Sequence, residues 1–150
     1  MDKYKHGPLD ETQLEELVER ETAKNSVSRV PPFIRSFGYA FEGIYYALRT
    51  QRNMRVHLGI GVVAAVLGIW LGISGVEWAV LLVMMALVLA LEMVNTVVEA
   101  LVDLVTDRFH PLAKVAKDVA AGAVLVAAIL AVGVGLFLFL PRLLHLLFNL

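Results

Sequence analysis

The 150-residue chain contains no cysteine, which excludes disulfides and thiol chemistry. Basic residues are missing from the short segment Gly75-Val76-Glu77, and no charge of either sign interrupts residues 119–140. The usual phosphate-binding signatures are absent as well: there is no GxxxxGK[ST] loop and no protein-kinase loop motif. Gly59-Ile60-Gly61 and Gly133-Val134-Gly135 lack the third glycine of a dinucleotide fingerprint. Any nucleotide chemistry would need another scaffold. The first apolar run begins only after Arg55, so no signal peptide is expected.

What is abundant is apolar surface. Hydrophobic residues make up 59% of the chain, against about 45–50% in a soluble domain. The mean hydropathy is +0.73. A helix crosses a bilayer with about 20 mostly apolar residues, and three windows qualify: 56–74, 78–102 and 119–140. The expected class is therefore an all-α integral membrane protein with three transmembrane helices, and no nucleic-acid partner is expected. Charge sets the orientation. Of the 13 Lys and Arg residues, nine precede the first window, three (Arg108, Lys114, Lys117) lie between the second and third, and only Arg142 lies beyond the third. The positive-inside rule then predicts a cytoplasmic N-terminus and a cytoplasmic 103–118 loop in a multi-pass protein.

The chain divides by composition at residue 30. Residues 1–30 are polar and read as a cytoplasmic tail, with Asp10 and Gln13 placed to cap a short helix whose thin apolar stripe is Leu14, Leu17 and Val18. Residues 31–150 form the membrane domain. Pro31-Pro32 can open its first helix, about 33–50. There Phe33, Phe37, Phe41, Ile44 and Leu48 make one apolar face opposite Arg35, Glu42 and Arg49. Such a helix would lie in the membrane interface, as a plain anchor or as the wall of a lipid site. Within the spans, Gly68-xxx-Gly72 and the stripe Ala123, Ala127, Ala131, Gly135 suggest close helix approach. The apolar tail 141–150 is expected at the outer interface.

The second window is the informative one. Glu92, Asn95, Glu99 and Asp103 recur at steps of three, four and four, which places them on one narrow stripe of a helix. A charge deep in a span costs about 2.5–3.5 kcal/mol even on the lenient insertion scale. Three readings fit such a stripe: helix–helix hydrogen bonding by Asn95 beside protonated glutamates, a proton or cation pathway, or a metal-assisted catalytic site. The following loop carries Arg108, Phe109, His110 and Lys114 and leads to Lys117-Asp118. Carboxylates faced by lysine at one depth suit a Mg-nucleotide, because hard oxygens bind Mg²⁺ and lysine neutralises phosphate.

Taken together, four segments resemble the prokaryotic diacylglycerol kinase family. They are Gly38-Tyr39-Ala40-Phe41-Glu42-Gly43-Ile44, Arg52-Asn53-Met54-Arg55-Val56-His57, the Glu92–Asp103 stripe, and Ala116-Lys117-Asp118-Val119-Ala120-Ala121-Gly122-Ala123. The Arg-Asn-Met-Arg-Val-His run is most similar to the branch that includes undecaprenol kinases. The resemblance covers residues 33–140. It implies a homotrimer of three-span subunits with a surface helix, phosphorylating a membrane lipid hydroxyl with MgATP at sites between subunits. By position it implies Glu92 as proton acceptor and Glu99 as the metal and ATP carboxylate. Tyr39, Arg108, Phe109, His110, Lys117 and Asp118 would contact ATP, and Asn95 and Asp103 would support the site. Two residues depart from the family. Gln51 stands where relatives commonly carry a glutamate that shares the metal with Glu99, and Glu42 stands where many carry lysine. Undecaprenol is the expected acceptor and diacylglycerol the alternative. A non-catalytic scaffold with a degenerate site and a small ion transporter are the competing readings.

Overall fold

The computed structural model describes residues 12, 15, 16, 18–20 and 31–148, and among them no strand occurs. Four long helices are α1 (Pro32–Thr50), α2 (Arg52–Trp70), α3 (Gly75–Val105) and α4 (Pro111–Phe148). The chain divides into two units, Met1–Glu42 and Gly43–Leu150, with the boundary inside α1. In the first unit Thr12, Glu15, Glu16 and Val18–Arg20 are helical and exposed. The expected cap, Asp10 with Gln13, lies outside the described residues, as do Leu14 and Leu17. Phe33 and Phe37 meet edge to face on the expected aromatic face of α1, with ring centroids 5.0 Å apart.

In the second unit, Gln51 separates α1 from α2 with an extended backbone (φ −93°, ψ 119°). Arg55, in the first turn of α2, donates to the carbonyls of Leu48 at 3.1 Å and Arg49 at 3.0 Å. These are acceptors that the end of α1 leaves open, so the guanidinium fixes the junction. At the far end of α2 the chain turns through Gly72 at φ +61°, a left-handed conformation that side chains disfavour. Ser74 then starts α3 with a reciprocal cap. Its N–H donates to the Glu77 carboxylate at 2.7 Å, and its Oγ accepts from the Glu77 amide at 3.4 Å.

That turn corrects two expectations. The first apolar window runs past the helix, because α2 stops at Trp70 and residues 71–74 form the turn and cap. Gly68 and Gly72 are likewise no helix-packing pair, since Gly72 belongs to the turn. Gly68 alone permits close approach: a Cβ there would lie 3.0 Å from Ile73 Cδ1 and 3.2 Å from the Trp78 ring. The small-residue stripe of α4 is used in part. Ala127 is buried, Ala131 and Gly135 are half-buried, and Ala123 is exposed. The helix also continues through Pro141 to Phe148, where the Arg142 guanidinium donates to the Leu138 carbonyl at 2.9 Å.

α4 packs chiefly along α3, α2 packs more lightly on α3, and α2 and α4 touch least. Ile73, Leu81, Leu138 and Phe139 form the core near the Gly72 turn. Arg142 also pairs with Glu77 at 2.8 Å, tying α4 to the start of α3. Outside this core, large apolar side chains such as Val63, Ile69, Leu125 and Phe137 are exposed. α2, α3 and α4 are each long and apolar enough to cross a membrane, and an apolar surface of that extent has its place in lipid. At about 1.5 Å per residue, the 31 residues of α3 exceed a hydrocarbon layer of about 30 Å, so its ends project. One of those projecting ends carries Asp103.

Candidate active site

The polar stripe of α3 is buried at Glu92 and Asn95, half-buried at Glu99 and exposed at Asp103. Glu92 is 1% exposed, and neither carboxylate oxygen has a hydrogen-bond partner among the described residues. Thr96, buried one turn on, spends its hydroxyl on the Glu92 main-chain carbonyl at 2.9 Å, so it does not serve the carboxylate. Asn95 is buried too, and its Nδ2 donates to Glu99 Oε1 at 3.2 Å. The second oxygen of Glu99 accepts from Gln51 Nε2 at 3.1 Å. Gln51 thus reaches Glu99 from the α1–α2 junction that Arg55 fixes. Asn95 Oδ1, by contrast, is buried with no partner.

About one turn beyond Glu99, a second group gathers where α3 meets α4. Asp103 pairs with Lys117 at 2.5 Å, and Asp118 pairs with Lys114. The connecting loop is held by its own side chains. Thr106 Oγ1 accepts from the Arg108 amide at 3.2 Å, and His110 Nδ1 accepts from the Leu112 amide at 3.2 Å at the start of α4. Asp103, Arg108, Phe109, His110, Lys117 and Asp118 line one open cavity of about 660 Å³. Phe109 is strongly exposed at its rim.

Of the residues expected at the site, the structure brings Gln51, Asn95 and Glu99 into one hydrogen-bonded cluster, with Glu92 about two turns deeper on the same helix face. The five loop and α4 residues, with Asp103 of α3, form the separate cavity above it. Tyr39 is exposed on α1 and belongs to the first unit. Lys114 of the expected loop also lines the cavity, as do Thr106 and Asp107, which were not expected there. Lys114 stands four residues before Asp118, a helical ion-pair spacing that carries this signal. No three His, Asp or Glu side chains come together as a metal-binding group among the described residues. Magnesium asks for less, since it usually takes one or two carboxylates and completes its shell with phosphate oxygens and water. Glu99 and the unpartnered Asn95 oxygen beside it fit that demand.

The prokaryotic diacylglycerol kinase family matches residues 38–139. The undecaprenol kinase of Bacillus subtilis (strain 168) is 40% identical over 120 residues, which cover 80% of this chain and 95% of that protein. A diacylglycerol kinase of Synechocystis sp. is 48% identical over 124 residues, 82% of this chain and 71% of that one. The diacylglycerol kinase of Escherichia coli (strain K12) is 30% identical over 108 residues, 72% and 88% respectively. Three membrane-length helices, a buried carboxylate at the head of a polar stripe in the second of them and a match across most of the chain agree: this protein belongs to the prokaryotic diacylglycerol kinase family and is a lipid kinase.

Proposed function

We propose that this chain transfers the γ-phosphate of ATP to the hydroxyl of undecaprenol at the basic end of its spans. The observation that carries this reading is the Glu92 carboxylate, buried and without a partner among the described residues. An uncompensated carboxylate at that depth is costly, and a substrate donor is what it lacks. A lipid hydroxyl reaching Glu92 would donate to one oxygen. As the hydroxyl oxygen attacks the γ-phosphorus, its proton passes to Glu92, the bond to the β-phosphate oxygen breaks, and ADP leaves.

Charge orders the rest. Lys117, Lys114 and Arg108 surround the cavity where triphosphate would lie, and lysine meets phosphate as a mobile point charge. Lys117 and Lys114 now face Asp103 and Asp118, so a nucleotide would compete for both lysines. Phe109 offers an exposed ring and His110 a ring beside the start of α4. Tyr39 is the remaining expected contact to ATP. Glu99, with the side-chain oxygens of Asn95 and Gln51, would hold Mg²⁺. When bound with ATP, Mg²⁺ neutralises charge that develops on the phosphates. Asn95 orients Glu99 through their hydrogen bond.

Undecaprenol as acceptor is supported by the match over nearly the whole Bacillus enzyme and by the Arg52–His57 run. The higher identity to the Synechocystis enzyme favours diacylglycerol as a second reading. We place the protein in the bacterial inner membrane as a homotrimer, with the basic end cytoplasmic on the distribution of Lys and Arg. Incubating the purified protein with γ-labelled ATP and a panel of undecaprenol, diacylglycerol and other membrane alcohols tests the reading. Label should enter undecaprenol in preference to diacylglycerol. Preferred labelling of diacylglycerol would select the second reading, and no labelled lipid at all would refute both.

A further inference from the structure

The mechanism uses one oxygen of Glu92, and the structure leaves two without a partner. A lipid hydroxyl supplies a single donor, so the other oxygen needs a second one. The helix register shows where it can come from. α2 and α3 run antiparallel. Gln51 meets Glu99 at one point of contact, and Gly61 meets Met85 at another. His57 lies about 9 Å along α2 from the first contact, and Glu92 lies about 10.5 Å back along α3 from it. The two residues therefore fall at the same level of the α2–α3 seam. His57 also lines a groove of about 420 Å³ together with Val88, which stands one turn before Glu92 on the same face of α3.

The third helix offers nothing there. Asp103 meets Lys117 and Glu77 meets Arg142, a register that sets Ala127 and Ala128 opposite Glu92 on α4. Neither alanine carries a side-chain donor. On α3 itself, Asn95 and Thr96 are committed to Glu99 and to the main chain. Arg55, the nearest arginine on α2, is engaged with the end of α1. At the level of Glu92 on α2, His57 is then the side chain that carries a donor.

We propose that His57 is the positioning residue for Glu92, donating a ring N–H to the carboxylate oxygen that the lipid hydroxyl does not use. The imidazole holds the carboxylate in one rotamer and offsets its charge, while the adjoining groove receives the first part of the lipid chain. The inference rests on Glu92 being the proton acceptor of the proposed reaction. A hydrogen bond to a charged group is worth about 10–100-fold when expressed as a rate.

Two measurements on the full-length protein test it. In the transfer assay, His57→Leu should lower kcat about 10–100-fold with the KM for ATP unchanged. His57→Gln keeps an N–H donor and should recover most of that loss. In a Glu92→Gln background, His57→Leu should have no further effect, since the group it positions is gone. Equal losses for the leucine and glutamine variants, or additive losses in the double variant, would overturn the proposal. The second measurement needs no turnover. Nitrogen-15 NMR of histidine-labelled protein identifies the His57 ring by its loss in His57→Leu. That signal should shift on Glu92→Gln and stay in place on Glu77→Gln. A His57 signal indifferent to Glu92→Gln would overturn the pairing even if the protein phosphorylates lipid. A shift in a protein that phosphorylates nothing would keep the pairing and sink the kinase mechanism instead.

Discussion

Glu99 receives two amide donors and no second carboxylate, so in the proposed reading Gln51 is the residue on which metal affinity would turn. An amide N–H stabilises the bare carboxylate, whereas a glutamate at the same place would repel it until a cation arrives. Gln51→Glu should therefore lower the Mg²⁺ concentration needed for half-maximal activity and leave lipid preference unchanged. It should also make stability depend on metal, because a ligand that binds only the folded state raises its apparent stability. Thermal unfolding with and without Mg²⁺ should show a larger rise for Gln51→Glu than for the parent. Asp103, the alternative second carboxylate, lies a turn past Glu99 and pairs with Lys117. Should Asp103→Asn rather than Gln51→Glu change the Mg²⁺ dependence, the metal would lie in the upper cavity.

At the scale of the element, helix ends and glycines decide how the spans meet. Gly68 stands against Ile73 and Trp78, while Gly59 has open space around its Cα. Alanine is the better helix former by about 1 kcal/mol, so Gly59→Ala should raise the melting temperature or leave it unchanged. Gly68→Ala forces contacts tighter than ordinary packing against side chains fixed at the turn, and overpacking costs about 1–3 kcal/mol. It should lower the melting temperature relative to Gly59→Ala. Equal effects would mean that the α2–α3 turn is looser than its contacts imply.

These elements also show what a sequence can reveal. The three spans and the one-sided acidic stripe were legible because both follow from local arithmetic: apolar length and a helical period. The end of α2 was not, because residues 71–74 are as apolar as the helix before them, and only the left-handed Gly72 and the Ser74–Glu77 cap stop it. The partner of Glu99 was legible only through family likeness, since the Gln51 contact joins residues distant in the chain. In the sequence His57 is only the last residue of the Arg52–His57 run. Its place opposite Glu92 emerges only when two helices are set in register.

For the molecule as a whole, orientation follows from where the charges are. With one basic residue beyond the third span and twelve on the other side, single-cysteine labelling gives a direct reading in a chain that has no cysteine of its own. Gly75→Cys should react with an impermeant reagent from outside intact cells, and Leu112→Cys only after the inner face is opened. Labelling of both from one face would contradict three crossings.

The central claim is that a carboxylate buried in the membrane takes the proton of a lipid hydroxyl. A paired measurement on wild type and Glu92→Gln reads it most directly: phosphate transfer from ATP to undecaprenol under single-turnover conditions, with ATP binding followed in the same samples. The glutamine keeps the shape and removes the base, and general-base catalysis contributes about 10²–10⁴-fold. The variant should lose transfer by about that factor and bind ATP as the wild type does. Transfer at near-normal rate in Glu92→Gln would contradict the account.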